Sequence, residues 1–213
     1  MAESRTEEGL LETKRRVAPV VGLVLLEVIR VRDLPSEVFA SEDPALTMPR
    51  RLGLSDIVDR QIRLFREEIR RGRKMSDEEV GDLFQLVLRR PDSEEVFLQA
   101  GELLAGRDQP RRGLQRLYPG GVRYAVARRS VSRRLRGLFG RPFGGFAHGA
   151  FTLEARNHPL LAMDPGGRTC PLVSGFCQTV LSRTLGRPAE VSHRSCQARG
   201  DELCRWGLEE GLE

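Results

Sequence analysis

Apolar residues recur every three to four positions along the middle of the chain and every second position near its end. These two periods predict helices followed by short strands. Val58, Ile62, Phe65 and Ile69 form a stripe at helical spacing with Arg and Glu opposite, closed by Gly72. Ser76 and Glu79 make a capping box ahead of VGDLFQLVLRR. Pro91-Asp92 breaks that helix, and SEEVFLQAGELLAG starts another, ending at Gly106. Val96, Ala100, Leu103 and Leu104 are its expected buried face. Three consecutive amphipathic helices point to core and dimer surface rather than to catalysis.

From Val122 to Phe139, VRYAVARRSVSRRLRGLF carries an apolar row, Val131, Leu135 and Leu138, surrounded by Arg128, Arg129, Arg133, Arg134 and Arg136. The reading adopted is a solvated helix packed on the core. An anionic surface is the alternative. No interleaved aromatics suggest base stacking and no helix-turn-helix or zinc-finger spacing is visible, so nucleic acid is not expected as a partner.

GRPFGGFAHG is then a glycine-rich loop, without the Lys-Ser/Thr ending of a phosphate loop or the G-x-G-x-x-G spacing of a dinucleotide site. FTLEA alternates as a strand, and NHP and DPGG are turns. PLVSGFCQTVLSRTLG reads as a helix, with Pro171 in its first turn and Gly186 past its end. AEVSH and CRWGL read as strands on either side of QARGDEL.

The N-terminal part is less periodic. Residues 1–16 are charged and expected to be disordered. VVGLVLLEVIRVR fits a buried strand or an apolar helix, and periodicity does not decide. Pro35, Pro44 and Pro49 mark an irregular connection over residues 33–53. The expected division is an N-terminal extension over 1–50 and one domain over 51–213.

Composition narrows the class. The longest apolar run, Val17 to Leu26, is about half the length a membrane helix needs. Glu3, Glu7, Glu8 and Glu12 precede it, which argues against a signal peptide and for a cytoplasmic location. The net charge of +5 comes almost wholly from arginine, since Lys14 and Lys74 are the only lysines. That bias speaks to solubility more than to a defined site. Four cysteines in 213 residues do not make a disulfide scaffold, so thiols or metal ligands are expected.

The chemistry concentrates near the C-terminus. HRSCQARGDELCRW packs His193, Cys196, Cys204 and the only tryptophan around a turn at Gly200. Strands entering and leaving that turn would bring the two sulfurs together, with His193 in reach. Cys170 sits at a helix start, where backbone N–H groups favour a thiolate. Zinc takes four N or S ligands in a tetrahedron, and Cys170, His193, Cys196 and Cys204 could supply them. A Cys196–Cys204 disulfide, a surface His193 and a merely buried Cys170 stand as alternatives. Cys177 falls on an apolar stripe with Val173, Val180 and Leu181 and reads as a small buried hydrophobe. His148 and His158 lie in turns without an obvious partner.

The runs NHPL, CPLVSG, LGRPAEV and CQARGDELCRW together resemble the 4-vinyl-reductase domain family, best over residues 146–210. That family includes ligand-sensing domains of bacterial regulators responsive to aromatics and a protein linked to bacteriochlorophyll vinyl reduction. In the sensing branch the resemblance implies a structural zinc site of three cysteines and one acidic residue. Cys170, Cys196 and Cys204 fall on the cysteine positions, and His193 stands at the acidic one. The implied fold is α/β (α+β), with helices on a small antiparallel sheet and a zinc-stapled C-terminal hairpin, similar to the small subunits of vesicle-tethering complexes. The resemblance also implies a homodimer and an apolar pocket. Phe151, Leu153, Leu172, Val173, Phe176 and Val180 are the expected pocket residues, each of which could equally be ordinary core.

Three functions follow as expectations: a non-catalytic, zinc-stabilised sensor of a small hydrophobic ligand; a vinyl-reductase-type enzyme or accessory protein; and a structural dimer acting through a regulatory protein or DNA partner. No nicotinamide or flavin fingerprint and no catalytic triad or paired-carboxylate motif is visible, and four protein ligands would leave a zinc no open position. These points favour the sensor.

Overall fold

The segment whose periodicity left strand and helix open is helix α1, Val20–Arg32. Val21 to Leu26 and Val28 are all buried, so no solvent-facing side gives the segment a period. The computed structural model describes residues 15–33, 57–107, 120–147 and 151–209. Most of the N-terminal extension, most of the 33–53 connection, and His148 lie outside the described residues. Val17 bridges to Met75 and α1 packs into the core, although both fall within the expected extension.

Helices α2 (Ile57–Arg70), α3 (Asp77–Leu88), α4 (Ser93–Gly106) and α5 (Gly120–Phe139) follow. The expected stripe on α2 is largely used inside the chain: Ile62 is buried, Val58 and Phe65 pack against the core, and Ile69 is exposed. The Ser76 capping box forms in full, with Glu79 N–H donating to Ser76 Oγ at 3.1 Å and Ser76 N–H to Glu79 Oε2 at 2.8 Å. On α4, Val96, Ala100 and Leu104 are buried, but Leu103, expected inside, is 48% exposed. The buried face of α4 instead runs through Phe97, Gly101 and Ala105.

The basic helix α5 buries Val131, Leu135 and Phe139. Arg134 is not a free surface charge. Its guanidinium donates to the carbonyls of Leu104 (3.0 Å) and Ala105 (3.1 Å) at the end of α4 and lies 5.1 Å over the Phe176 ring. Arg129, Arg133 and Arg136 remain exposed.

The sheet is antiparallel throughout, in the order β1 (Gly145–Phe146), β2 (Thr152–Ala155), β4 (Cys204–Leu208), β3 (Val191–Ser195). Short helix α6 (Pro159–Met163) and long helix α7 (Pro171–Leu185) lie between β2 and β3 in sequence. With these, the described residues form an α+β fold of seven helices and one four-stranded sheet.

Helix α7 crosses α4 with backbones in contact. A Cβ on Gly101 would sit 2.0 Å from the Leu172 carbonyl oxygen, and one on Gly175 would sit 2.1 Å from that of Leu98. Each helix therefore carries glycine where the other's main chain passes. This crossing fixes α7, whose N-cap is Cys170.

Candidate metal centre

The cysteine and histidine constellation is assembled by three local devices. The first is the loop into α7. Buried Asp164 accepts the Gly166 N–H on Oδ1 at 2.9 Å and the Thr169 N–H on Oδ2 at 2.7 Å. This holds the DPGGRT turn in place just before Cys170. Gly167, at φ +74°, leaves room for a ligand: a Cβ there would lie 2.6 Å from Cys196 Sγ.

The second device is a bulge in β3. His193 and Cys196 are three apart, which in a regular strand sends their side chains to opposite faces. The register with β4 shifts between His193 and Ser195, resetting the alternation so that both reach one point.

The third is the turn between β3 and β4. Asp201 Oδ2 accepts the Cys196 N–H at 2.6 Å, and the Cys196 carbonyl accepts the Arg199 N–H at 2.9 Å. Gly200 takes the left-handed conformation at φ 102°. The Gln197 N–H donates to Cys204 Sγ at 3.2 Å.

One ligand atom each from Cys170, His193, Cys196 and Cys204 thus falls within 4.8 Å of the other three. The three cysteines are buried and His193 is half-buried. All four cysteines of the chain are free, in place of the Cys196–Cys204 disulfide considered from sequence. The donor set suits a metal ion. Ligands on a tetrahedral zinc with Zn–S bonds near 2.3 Å lie about 3.8 Å apart, within the observed spread. His193 Nε2 is moreover buried with no hydrogen-bond partner among the described residues, a costly arrangement unless it is kept for another use. The cluster can hold a metal ion.

Without a metal the three thiols share their protons unequally. Cys204 is held well below the ordinary thiol range, first by a hydrogen bond from Cys170, then against burial by His158, His193 and the Gln197 N–H. The same Cys170–Cys204 hydrogen bond, with burial, pushes Cys170 up. Burial pushes Cys196 up.

Trp206 closes the cluster from within. It is fully buried, its Nε1–H donates to the Cys170 carbonyl at 3.2 Å, and its ring stacks on His193 at 4.9 Å. The tryptophan ties the start of α7 to β4 independently of any metal.

His158 needs a correction. The sequence shows no partner for it, yet its Nε2 lies 3.1 Å from Cys204 Sγ and its side chain is buried. Register explains the meeting: β2 sets Ala155 opposite Cys204, so the chain leaving β2 runs past that sulfur. Cys177 is fully buried and its thiol is pushed up by burial alone, in keeping with a core hydrophobe.

The expected pocket residues lie together in the core. Phe151, Leu153, Leu172, Val173, Phe176 and Val180 are each 1% exposed or less. Neither of two surface hollows touches them: one, of about 500 Å³, lies between the start of α1 and the end of α2, and the other, of about 430 Å³, is on the outer face of α7. No described helix is long and apolar enough to cross a membrane. No family model, curated protein or solved structure matches the chain.

Proposed function

We propose that the chain is a zinc-stapled, non-catalytic module that binds a small hydrophobic ligand. The observation that carries this reading is the convergence of Cys170, His193, Cys196 and Cys204 on one point. Three sulfurs and an imidazole suit zinc better than magnesium or calcium, which take oxygen ligands. Four protein ligands complete zinc's usual tetrahedron and leave no position for water or substrate. Bound there, the metal supplies rigidity, joining the start of α7 to the β3–β4 hairpin.

The ligand part of the proposal rests on the resemblance to the 4-vinyl-reductase domain family and on the apolar faces that α7 and β2 turn toward the core. Because those side chains are closed over, a ligand enters only where α7 parts from the sheet. Burial at about 25 cal/mol per Å² must then outweigh the packing it displaces. The closed core favours a second reading, a structural homodimer with no small ligand. In that reading the exposed apolar residues Ile57, Leu64 and Ile69 of α2 meet a second copy.

Native mass spectrometry of protein purified without chelator tests both. One zinc per chain is expected, and none would end the zinc reading. A calorimetric screen of small aromatics, lipids and tetrapyrroles should find a binder, with no conversion when NADPH is added. Conversion would make the protein an enzyme. No binding together with a dimeric mass would favour the structural reading.

A further inference from the structure

We propose that His158, outside the four ligands, is the positioning residue of the metal centre. It donates a hydrogen bond from Nε2–H to the Cys204 sulfur and sets how tightly the metal is held. The inference rests on the zinc reading above.

The protonation pattern follows from His158's surroundings. Its Nε2 faces Cys204 Sγ at 3.1 Å, while its Nδ1 is buried with no partner among the described residues. Only the tautomer carrying hydrogen on Nε2 avoids two costs at once. The other would aim a lone pair at a thiolate and bury a donor with no acceptor. The ring has little freedom to turn away. Phe143 stacks on it with centroids 5.0 Å apart, and Trp206 meets it edge-on at 5.4 Å.

The turn that carries His158 is itself clamped to the metal-binding hairpin. Asn157 takes a left-handed conformation, φ 49°, which asparagine tolerates better than most residues. Its N–H donates to Gln197 Oε1 at 2.9 Å, and Gln197 Nε2 donates to Asn157 Oδ1 at 3.2 Å. Gln197 also donates its backbone N–H to Cys204 Sγ. One residue therefore positions the turn and supplies the second hydrogen bond to the same sulfur.

Charge gives the arrangement its purpose. Three thiolates and a neutral imidazole on a divalent ion leave one net negative charge, in a site whose sulfurs are almost wholly out of water. Hydrogen bonds to sulfur are the means available to spread that charge. Cys204 receives two of them, from different parts of the chain.

The test uses the full chain loaded with Co²⁺, with His158→Phe, which keeps a flat ring but cannot donate, and His158→Gln, which returns an N–H near Nε2. His158→Phe should weaken metal affinity by about tenfold or more in chelator competition and move the sulfur-to-cobalt charge-transfer band to lower energy. His158→Gln should restore both toward wild type. In the unsubstituted zinc-loaded chain, long-range ¹H–¹⁵N NMR should find the His158 proton on Nε2, a readout that survives should His158→Phe fail to fold. A proton on Nδ1, or wild-type affinity and spectrum in His158→Phe, overturns the inference while leaving the zinc reading intact. A wild-type chain that takes up no cobalt or zinc overturns the zinc reading, and this inference with it.

Discussion

Helix α7 is held on its two sides by opposite physics. Toward α4 the contact is main chain against main chain, made possible by atoms that Gly101 and Gly175 lack. Toward the hairpin it is a convergence of sulfur, imidazole and indole at the N-cap of the helix, made by atoms that Cys170, His193, Cys196, Cys204 and Trp206 supply. The first side therefore fails when an atom is added, and the second when one is taken away. Ordinary apolar burial surrounds both, but neither is explained by it.

The largest expected effect comes from breaking the second side. Small zinc domains draw on the order of 10 kcal/mol or more of apparent folding energy from their metal. Cys196→Ser, or chelation of the unsubstituted chain, should strip amide-exchange protection from β3 and β4 first. The α2–α3 region, with no ligand in it, should keep more of its protection. Exchange followed by mass spectrometry reads the two regions separately. Equal loss in both would mean that α7 transmits the damage and that the two sides form one cooperative unit.

Breaking the first side should cost less but act everywhere. In Gly175→Ala the new methyl meets the Leu98 carbonyl, which belongs to a helix and cannot swing aside. Relief requires the helices to part. The expected destabilisation is about 3 kcal/mol, the upper part of the usual range for overpacking. Metal stoichiometry should stay at one per chain, because Cys170 is anchored by its own loop. Denaturant unfolding with metal analysis checks the pair of outcomes, and a stable variant would show that the two helices part at little cost.

The same contrast explains what could be read before the structure. The four candidate ligands were legible because a turn between two cysteines and a cysteine at a helix start are local signals. His158 was not, because its meeting with Cys204 depends on which residue of β2 lies opposite which residue of β4. The amphipathic helices α2 to α5 were legible because one side of each meets water. Helix α1 was ambiguous because its stretch from Val21 to Leu26 is buried all round. Leu103 and Leu104 are neighbours on α4, and sequence cannot choose between them. The choice is made by the glycine crossing, which turns the Gly101 side toward α7. A glycine inside a helical pattern reads as a weakness until the partner backbone is known.

A smaller effect belongs to the helical region alone. Ser76→Ala removes the acceptor for the Glu79 N–H at the start of α3. The expected cost is about 1 kcal/mol. Thermal unfolding should show it with and without chelator alike, since α3 supplies no ligand. A cost present only in the metal-bound protein would tie α3 to the hairpin and weaken the distinction between regions.

The smallest effect concerns charge, in an ion-pair clamp of the helical region. Asp92, at the N-cap of α4, receives hydrogen bonds from Arg90 Nε at 2.9 Å and from Arg32 Nε at 2.8 Å, joining α4 to the end of α1. Arg90, then Arg32, against the cost of burial, hold its carboxyl at about 2, below its ordinary 3.8. A carboxylate held down in the folded state stabilises that state wherever it is ionised in both folded and unfolded chains. Its contribution is therefore complete above pH 3.8 and is lost as pH falls from there toward about 2. Asp92→Asn should cost under about 1 kcal/mol at neutral pH, because partly exposed ion pairs are weakened by water and salt. The gap between variant and wild type should close over that acidic interval. An NMR titration of the Asp92 carboxyl gives the midpoint directly. A midpoint near 3.8 would mean that Asp92 adds little to the joint between α1 and α4, leaving it to apolar packing and to the Arg32–Glu95 and Arg107–Glu27 pairs.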